Sequence, residues 1–567
     1  MNMSKAKKNW ILLGILCSLL LLRAWPRLLY PGVWVEDGTL NFYGFVTRGL
    51  IFFTEPQNGY YFVIPKIITA LSASVSAYFY PEIATLLTIL FTVAILVMLV
   101  RLPLHLRGGI WLAIVCLLIP AWGECFALPS YTFWWASLLL FAFIFWDEQA
   151  AARYIWFRII AIALASLSAP VCLVTLPLFW ARVIWFWQKP NRNTEILIAC
   201  PATLCAAIQL IPVLADGKGK VGANVSTALS AINPIVTKFL GGYVLGNLLP
   251  KFAAIAGIAA LIYIIAGMVR HRRNVWLWAL CYLWLAAILM SIARVNIHII
   301  GPMGGGPRYF FYPYLLLGWL TLQFVFIDEN RYFRLAGLLV LILSVANALP
   351  CLPRGRIDRL PWRNHLLSCQ HFPNYTIPIH FAGKAHFTWN IGMSGENCQQ
   401  IRQNDFFSRA AIGLKTFPYR VSRPESKNLL AAVTPAAKDI VENQWQGGDH
   451  WTAVGKNNSI PPGWNVFGSF STIGQHRGVL SIRCRRGDQL LFAAGPRLDR
   501  QRIKIAGHPE FADTAPFWVG GDKWALLEFS NDLLPETFVV RFYDLGSERQ
   551  EWSAIAIKKE GIALPAQ

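Results

Sequence analysis

Apolar runs recur from residue 10 to about residue 350, and they constrain the fold more than any other feature of the sequence. A helix needs roughly 20 apolar residues to cross a bilayer. Most runs approach that length, although those at 109–121 and 156–169 are shorter. We predict about eleven transmembrane helices, at 10–30, 82–101, 109–121, 132–147, 156–169, 171–187, 195–213, 251–269, 275–293, 309–327 and 333–350.

The composition agrees with a membrane protein. Hydrophobic residues make up 55% of the chain and charged residues only 14%, whereas a soluble domain is about one quarter charged. The formal net charge is +21. Because the basic residues lie between apolar runs and form no cluster interleaved with aromatics, they predict membrane topology and no nucleic-acid partner.

The basic residues favour one orientation of the spans. Loops on the cytoplasmic side carry an excess of Lys and Arg, and no small-residue cleavage site follows the first run, which predicts an uncleaved first helix. With the amino terminus in the cytoplasm, every inside segment is basic, and an odd span count places the part after residue 350 outside. The inside segments contain Lys5, Lys7, Lys8, Arg101, Arg107, Arg153, Arg158, Lys189, Arg192, Arg270, Arg272, Arg273, Arg331 and Arg334.

The composition changes after Pro350 and becomes polar. Short alternating apolar runs separated by turn signals fill the stretch from Trp464 to Lys558 and predict an antiparallel β-sandwich. We therefore predict a polytopic α-helical membrane protein followed by a mostly β C-terminal domain. The predicted domains are 1–350 for the membrane part, 351–460 for a mixed region with a helix near 426–433, and 461–567 for the sandwich.

Cysteine positions predict one disulfide. Cys369 and Cys398 are 29 residues apart in a region predicted to face an oxidising compartment. The alternative is two buried free thiols. No Cys and His spacing matches a zinc site.

Three predicted outside loops differ in character. The second half of 31–81 is apolar and suits a helix along the membrane surface. The loop 214–250 is rich in glycine and suits a mobile lid. The loop 294–308 contains so much Gly and Pro that it must be irregular and line a cavity.

Glu36 and Asp37 form an acidic pair directly after the first apolar run. Carboxylates at a membrane boundary are costly unless a cavity, a partner or a reaction uses them. The pair could deprotonate an acceptor hydroxyl, or hold a divalent metal beside a departing phosphate. The alternative is a structural role, with Asp37 as the N-cap of a helix at 37–50.

Cationic side chains in the outside loops are candidate phosphate ligands. Lys66, Arg294, His298 and Arg308 have the required charge, and the glycines before Arg308 could add backbone amides in an anion nest. The alternative for Lys66 and Arg308 is snorkelling to lipid headgroups. Glu124 is a lone acid in a short loop, either a second acidic ligand or an exposed turn residue.

These residues resemble motifs of the C-type (GT-C) glycosyltransferase superfamily. The pattern Glu36-Asp37-Gly38, then Gly59-Tyr60-Tyr61 and Pro65-Lys66, is similar to that of serotype-converting glucosyltransferases that modify O-antigen. Gly-Pro-Arg308-Tyr309 is similar to a late-loop Arg-Tyr in the same group. Lys66 stands where that group is expected to have Arg, which removes bidentate phosphate recognition.

The resemblance implies a polyprenyl-phosphate-linked sugar as glycosyl donor and a glycan or lipid-linked saccharide as acceptor, on the outer face of a bacterial inner membrane. It implies an inverting displacement with Asp37, or Glu36, as base. Lys66 and Arg308 would stabilise the leaving phosphate, and the remaining predicted substrate-binding residues are Tyr60, Glu124, Arg294, His298 and Tyr309. The alternatives are a transporter or flippase of lipid-linked saccharides, and a glycan ligase or polymerase.

Tryptophans of the C-terminal region are candidates for acceptor binding, since aromatic faces pack against sugar rings. Trp445 and Trp451 lie in a polar stretch and are predicted to form a glycan platform. Trp464 and Trp552 fall in the strand pattern, where a place in the sandwich core is favoured.

Overall fold

In the computed structural model the chain forms two compact units. Unit 1 comprises Met1–Pro31, Arg48–Leu71 and Glu82–Arg356, and unit 2 comprises Gly32–Thr47, Ser72–Pro81 and Ile357–Gln567. The structure describes residues 5–150, 152–215, 225–352, 360–381, 384–405, 407, 414–422, 435, 437–445, 464–471, 474–475, 477–495, 500–513, 515, 524–546 and 551–558.

Helices dominate the first two thirds of the chain. In chain order the α-helices of the described residues are α1 Lys5–Leu29, α2 Tyr43–Arg48, α3 Val63–Val75, α4 Tyr80–Arg101, α5 Gly109–Leu117, α6 Thr132–Ile144, α7 Ile155–Ser166, α8 Cys172–Trp185, α9 Arg192–Ala215, α10 Val225–Pro234, α11 Gly242–Val244, α12 Ala253–Arg270, α13 Val275–Arg294, α14 Phe311–Ile327, α15 Arg331–Ala348, α16 Trp362–Cys369 and α17 Gly395–Asn404.

A helix occupies each of the eleven predicted transmembrane segments. Among the described residues, seven helices are long and apolar enough to cross a membrane, while α5, α6, α7 and α8 are shorter, with 9, 13, 12 and 14 residues. The seven are Trp10–Leu29, Tyr80–Arg101, Arg192–Ala215, Pro250–Arg270, Val275–Arg294, Pro307–Ile327 and Arg331–Cys351.

The span Pro307–Ile327, which contains α14, is the most enclosed of the seven, because 89% of its most apolar stretch is buried inside the protein. Gly318 permits close packing there, because a Cβ atom would lie 2.5 Å from Val115 and 2.8 Å from the hydroxyl of Tyr243. Small residues allow such close approach between membrane helices. Helices α5, α13 and α15 pack against α14.

A buried ion pair connects two of the shorter helices of unit 1 to α9. The guanidinium of Arg182 on α8 donates two hydrogen bonds to the carboxylate of Glu195 on α9, at 2.9 and 2.7 Å. It also donates to the carbonyl of Ile144 at the end of α6, at 2.8 Å. Loss of one partner would leave a buried charge uncompensated, so this pair constrains how the three helices pack.

Unit 2 contains the β-structure. Its strands are β1 Asn374–Phe381, β2 Lys384–Ser394, β3 Arg420–Ser422, β4 Ile440–Asn443, β5 Trp464–Gly468, β6 Phe470–Ser471, β7 Gly474–Gln475, β8 Gly478–Arg485, β9 Gln489–Ala494, β10 Gln501–Ile505, β11 Ala525–Glu528, β12 Thr537–Asp544 and β13 Ser553–Lys558. Two larger sheets have the orders β10-β12-β8-β4 and β3-β11-β9-β13-β5. All of their pairs are antiparallel.

The two larger sheets share one apolar core. Leu480 and Ile482 of β8 and Val540 of β12 pack in the same buried cluster as Phe492 of β9 and Ile555 of β13. Alternation along β12, where every second residue is buried, sends one face of that strand into this core. The predicted fold class, a polytopic helical membrane protein with a mostly β C-terminal domain, is confirmed.

Further elements of unit 2 test two smaller predictions. The predicted disulfide is confirmed, because Cys369 of α16 and Cys398 of α17 are bonded. Trp464 and Trp552 are buried as predicted, but they lie in a second apolar cluster and not in the core that the two sheets share. The helix predicted near 426–433 lies outside the described residues, and the division of the chain at residues 350 and 460 stays a prediction.

Two short segments from the first hundred residues also belong to unit 2. A Cβ atom at Gly32 would lie 2.1 Å from the ring of His380, whose backbone N–H donates to the carbonyl of Val33 at 2.8 Å. One carboxylate oxygen of Asp405 accepts hydrogen bonds from the hydroxyl of Ser76 and the backbone N–H of Ala77, at 3.0 and 2.7 Å. Unit 2 is thus built from three separate stretches of sequence.

A buried histidine should make the stability of unit 2 depend on pH. The ring of His365 stacks on Phe417 and its Nδ1 lies 2.9 Å from the hydroxyl of Tyr375. Burial lowers the pKa of His365 to about 3, against about 6.5 in an unfolded chain. Between these values the unfolded state binds one more proton, so the free energy of unfolding falls as pH drops, by up to about 1.4 kcal/mol per pH unit.

We expect the variant His365→Phe to lose this part of the pH dependence. The measurement is thermal unfolding of the detergent-solubilised full chain between pH 7.5 and pH 5. The variant His508→Gln is the control, because His508 lies on the surface beside Glu510. Equal pH dependence in wild type and His365→Phe would contradict the prediction.

Candidate functional site

Asp37 lies at the start of a π-helix, Asp37–Phe42, and is 1% exposed. The helical conformation begins at Val35, and Glu36 already has helical φ and ψ of −68° and −30°, with no side-chain capping bond. The interpretation of Asp37 as the N-cap of a helix at 37–50 is therefore wrong. π-helical turns are rare and frequently occur at functional sites.

Apolar and aromatic groups of unit 2 enclose the π-helix. A Cβ atom at Gly38 would lie 3.0 Å from Ile379 of β1 and equally close to Ile391 of β2, so glycine lets these strands approach the turn. Phe42 packs against Tyr80 and Trp362, with ring centroids 4.8 and 5.1 Å away.

Two polar side chains are buried in this turn. Asn41 is 1% exposed, as is Asp37. A π-helix has hydrogen bonds between residues i and i+5, so two residues four positions apart lie near the same face of the helix. Glu36 is half-buried. In the described part of the chain neither acid belongs to a group of three or more His, Cys, Asp or Glu ligands. A divalent metal at this pair therefore gains no support from the arrangement of side chains.

Arg308 and Glu124 form an ion pair in unit 1. The Nη1 atom of Arg308 lies 2.6 Å from Oε1 of Glu124 and 2.6 Å from the hydroxyl of Tyr131. That hydroxyl lies 3.0 Å from the same carboxylate oxygen, and the backbone N–H of Arg308 donates to Oε2 of Glu124 at 3.4 Å. A guanidinium, a phenol and an amide N–H thus surround one anion, which is a set of donors that also suits phosphate.

Two further arginines hold the loop that carries Glu124. Arg23 and Arg27, near the end of α1, donate to the carbonyls of Ala121 and Gly123 at 2.5 and 2.8 Å. Three guanidinium groups therefore lie at or beside a short loop with a single carboxylate. The sequence interpretation did not single out Tyr131, Arg23 or Arg27. Charged residues inside an apolar run are a signal that could have identified the two arginines.

Lys66 is buried on α3 and its ammonium group is already bound. Its Nζ donates to the carbonyl of Phe52 at 2.6 Å and to the carbonyl of Glu55. The same atom lies 4.6 Å from the centre of the Phe52 ring. These contacts hold the 3₁₀-helix Gly49–Thr54 against α3. In this structure Lys66 therefore has a structural role.

The other predicted cations lie around the irregular segment 295–306. Arg294 is exposed and donates to the carbonyl of Asn58 at 2.6 Å. His298 is exposed, and its carbonyl accepts a hydrogen bond from Lys238 at 2.8 Å. Lys238 also donates to the carbonyls of Ile297 and Ile300, at 3.0 and 2.7 Å. The predicted irregular conformation of this segment is confirmed, and Lys238 is a further residue that shapes it.

The predicted aromatic ligands occupy partly buried positions. Tyr60 is half-buried and stacks on Phe62 with a centroid separation of 4.5 Å. It closes a turn with Asn58 and Gly59 at φ of 51° and 81°, the conformation that Asn-Gly favours. Tyr309 lies beside Arg308, whose guanidinium carbon is 5.3 Å from its ring centre.

The prediction that Trp445 forms part of an exposed glycan platform is wrong. Trp445 is 3% exposed, belongs to the sandwich core and donates its indole N–H to the carbonyl of Gly478 at 3.2 Å. Its ring therefore does not lie on an exposed polar loop, because the apolar faces of the sheets bury it. Trp451 lies outside the described residues.

The fold defines the class of protein: a polytopic membrane protein with a β domain. No protein-family model and no curated protein matches the chain. Among matching solved structures is the cryo-EM structure of arabinosyltransferase EmbB from Mycobacterium smegmatis, with 14% identity and a TM-score of 0.26. The match covers 96% of this chain and 64% of that chain, so the present chain corresponds to less than two thirds of EmbB. At this level the likeness does not bear on function.

Proposed function

We propose that the chain is a membrane glycosyltransferase that uses a polyprenyl-phosphate-linked sugar. The observation that carries the proposal is the arrangement around Glu124, where Arg308, Tyr131 and a backbone N–H bind a carboxylate. Arg23 and Arg27 hold the same loop. Among the described residues, three guanidinium groups thus lie at or beside one carboxylate, and planar guanidinium groups suit phosphate oxygens.

The sugar part of the proposal comes from the sequence motifs. The acidic pair, the Gly-Tyr-Tyr stretch and the late Arg308-Tyr309 resemble the C-type glycosyltransferases, including those that transfer glucose to O-antigen. The proposed acceptor is an envelope glycan or a lipid-linked saccharide. The proposed location is the outer face of a bacterial inner membrane, with the amino terminus in the cytoplasm, because the basic residues favour that orientation.

The proposed reaction is a direct displacement. An acceptor hydroxyl attacks the anomeric carbon of the donor sugar, and the bond between that carbon and the phosphate oxygen breaks. The hydroxyl proton passes to the carboxylate of Asp37, with Glu36 as the alternative base, and polyprenyl phosphate leaves with the bonding electron pair. One displacement inverts the anomeric configuration. General-base catalysis of this kind contributes about 10²–10⁴-fold.

Each cation has a separate role in this proposal. Arg308 stabilises the negative charge that grows on the leaving phosphate, which is the type of electrostatic effect that contributes most in many enzymes. Lys66 keeps the segment Gly49–Thr54 on α3 through the carbonyls of Phe52 and Glu55. The proposal therefore assigns binding of the phosphate to Arg308.

A reconstituted assay tests the proposal. The purified chain in lipid nanodiscs is incubated with polyprenyl-phosphate sugars and with envelope glycan acceptors, and the products are analysed by mass spectrometry and NMR. We expect transfer of one sugar, release of polyprenyl phosphate and an inverted linkage. Movement of intact lipid-linked saccharide across proteoliposomes without transfer would instead support a flippase, and use of diphosphate-linked donors alone would support a ligase or polymerase.

A further inference from the structure

A second polar cluster lies in unit 1 at the other end of α5 and α6 from Glu124. His105 precedes α5, whereas Asp147 and Glu148 follow α6. The backbones of the two segments pair: the N–H of His105 donates to the carbonyl of Phe145 at 2.7 Å, and the N–H of Asp147 donates to the carbonyl of Pro103 at 2.9 Å. This pairing brings the three side chains together across about 40 residues of sequence.

The three side chains present one imidazole nitrogen and two carboxylate oxygens to a common point. One ligand atom from each residue lies within 4.8 Å of the other two, and among the described residues this is the one group of three or more His, Cys, Asp or Glu with that property. The Nε2 atom of His105 is 2.5 Å from Oε2 of Glu148. Both atoms are shielded from solvent, and they form an ion pair when the imidazole is protonated.

These distances are close to those around a metal ion. Ligand atoms bound to a tetrahedral cation at about 2.0–2.2 Å lie roughly 3.3–3.6 Å apart. The separation between His105 and Glu148, 2.5 Å, is shorter than that range, and no two of the three ligand atoms are more than 4.8 Å apart. A cation between the three groups would therefore move the imidazole nitrogen and the Glu148 oxygen apart.

Neighbouring groups hold the three ligands in place. The imidazole of His105 stacks on Trp276 with ring centroids 4.2 Å apart and planes 16° apart. One oxygen of Asp147 accepts the N–H of Gln149 at 3.0 Å. The side-chain amide of Asn191 donates to the carbonyl of Glu148 at 2.8 Å. Such outer contacts orient metal ligands, and the 21% and 33% exposure of the His105 and Glu148 side chains leaves a path for an ion.

We propose that His105, Asp147 and Glu148 bind a first-row divalent cation. One imidazole with two carboxylates suits Zn²⁺, Mn²⁺ or Co²⁺. The bound ion would neutralise two carboxylates and connect the segment between α4 and α5 to the segment that follows α6. The proposal is independent of the proposed glycosyl transfer, because none of its residues takes part in that reaction.

Metal binding to the intact chain tests the proposal. The detergent-solubilised protein is stripped of metal and titrated with Zn²⁺ by equilibrium dialysis, and with Co²⁺ by visible absorption. We expect His105→Gln and Asp147→Asn each to weaken Zn²⁺ binding by at least about tenfold.

The control is His271→Gln. His271 lies 2.9 Å from Asp328, but Arg270 already donates to both oxygens of that carboxylate, at 2.8 and 3.1 Å. This variant should bind Zn²⁺ like the wild type. No Zn²⁺ bound to the wild type at about 100 µM would overturn the proposal, whether or not the variants fold. Equal binding by His105→Gln, Asp147→Asn and wild type would overturn it as well.

Discussion

Asp37→Asn should lower the rate of glycosyl transfer by about 10²–10⁴-fold while the protein still folds. Asparagine has nearly the same volume as aspartate. The π-helix Asp37–Phe42, and the contacts that its residues Gly38 and Phe42 make with the rest of unit 2, should therefore persist. What is lost is the proposed base, the group that would accept the proton of the acceptor hydroxyl. Turnover with a polyprenyl-phosphate sugar measures the effect, and size-exclusion chromatography with thermal unfolding reports folding.

Asp544→Asn is the matched control for this prediction. Asp544 is also a buried aspartate of unit 2, and it accepts hydrogen bonds from Gln501 and from the backbone N–H of Gly546, at 3.0 and 2.9 Å. Its replacement should affect stability and leave turnover of the folded protein near that of the wild type. Wild-type turnover in both Asp37→Asn and Glu36→Gln would mean that the acidic pair is structural.

Local sequence pattern predicted the elements of the fold well. Hydrophobic runs located a helix in each of the eleven predicted segments, and alternation located the antiparallel strands between Trp464 and Lys558, because both signals depend only on neighbours in the chain. Burial of every residue of α6 explains why so short a helix is almost entirely apolar. Pattern did not indicate that Gly32–Thr47 and Ser72–Pro81 group with the β domain. That depends on long-range contacts such as the indole N–H of Trp362 with the carbonyl of Ala77, at 2.8 Å.

The candidate site was only partly predictable for the same reason. Charge and position selected Glu124 and Arg308 separately, but their ion pair joins residues 184 positions apart. Tyr131 resembles any interfacial tyrosine in sequence, and only its contact with Arg308 distinguishes it. Trp445 was predicted to lie on a polar loop but lies in the sandwich core, because polar neighbours in sequence do not exclude a side chain from a core.

Arg308→Lys should lower kcat/KM for the polyprenyl-phosphate donor by about 10²-fold. In the structure one nitrogen of Arg308 contacts both Glu124 and Tyr131 at 2.6 Å, and a planar guanidinium presents its N–H donors in a fixed fork that matches phosphate oxygens. Lysine keeps the charge but presents a single ammonium group, which can satisfy Glu124 or the phosphate with less directional bonding. Because the phosphate gains charge as the sugar leaves, most of the loss should fall on kcat.

Arg420→Lys is the control, because Arg420 forms a similar ion pair with Glu528 at 2.6 Å on the β domain. It should leave kcat and KM unchanged. Glu124→Gln adds a second test of the same idea: removing the carboxylate charge frees Arg308 for phosphate and should lower KM for the donor. If Arg308→Lys retained wild-type kcat and KM, Arg308 would be a residue that anchors its loop to Glu124, and the leaving phosphate would have to be stabilised elsewhere.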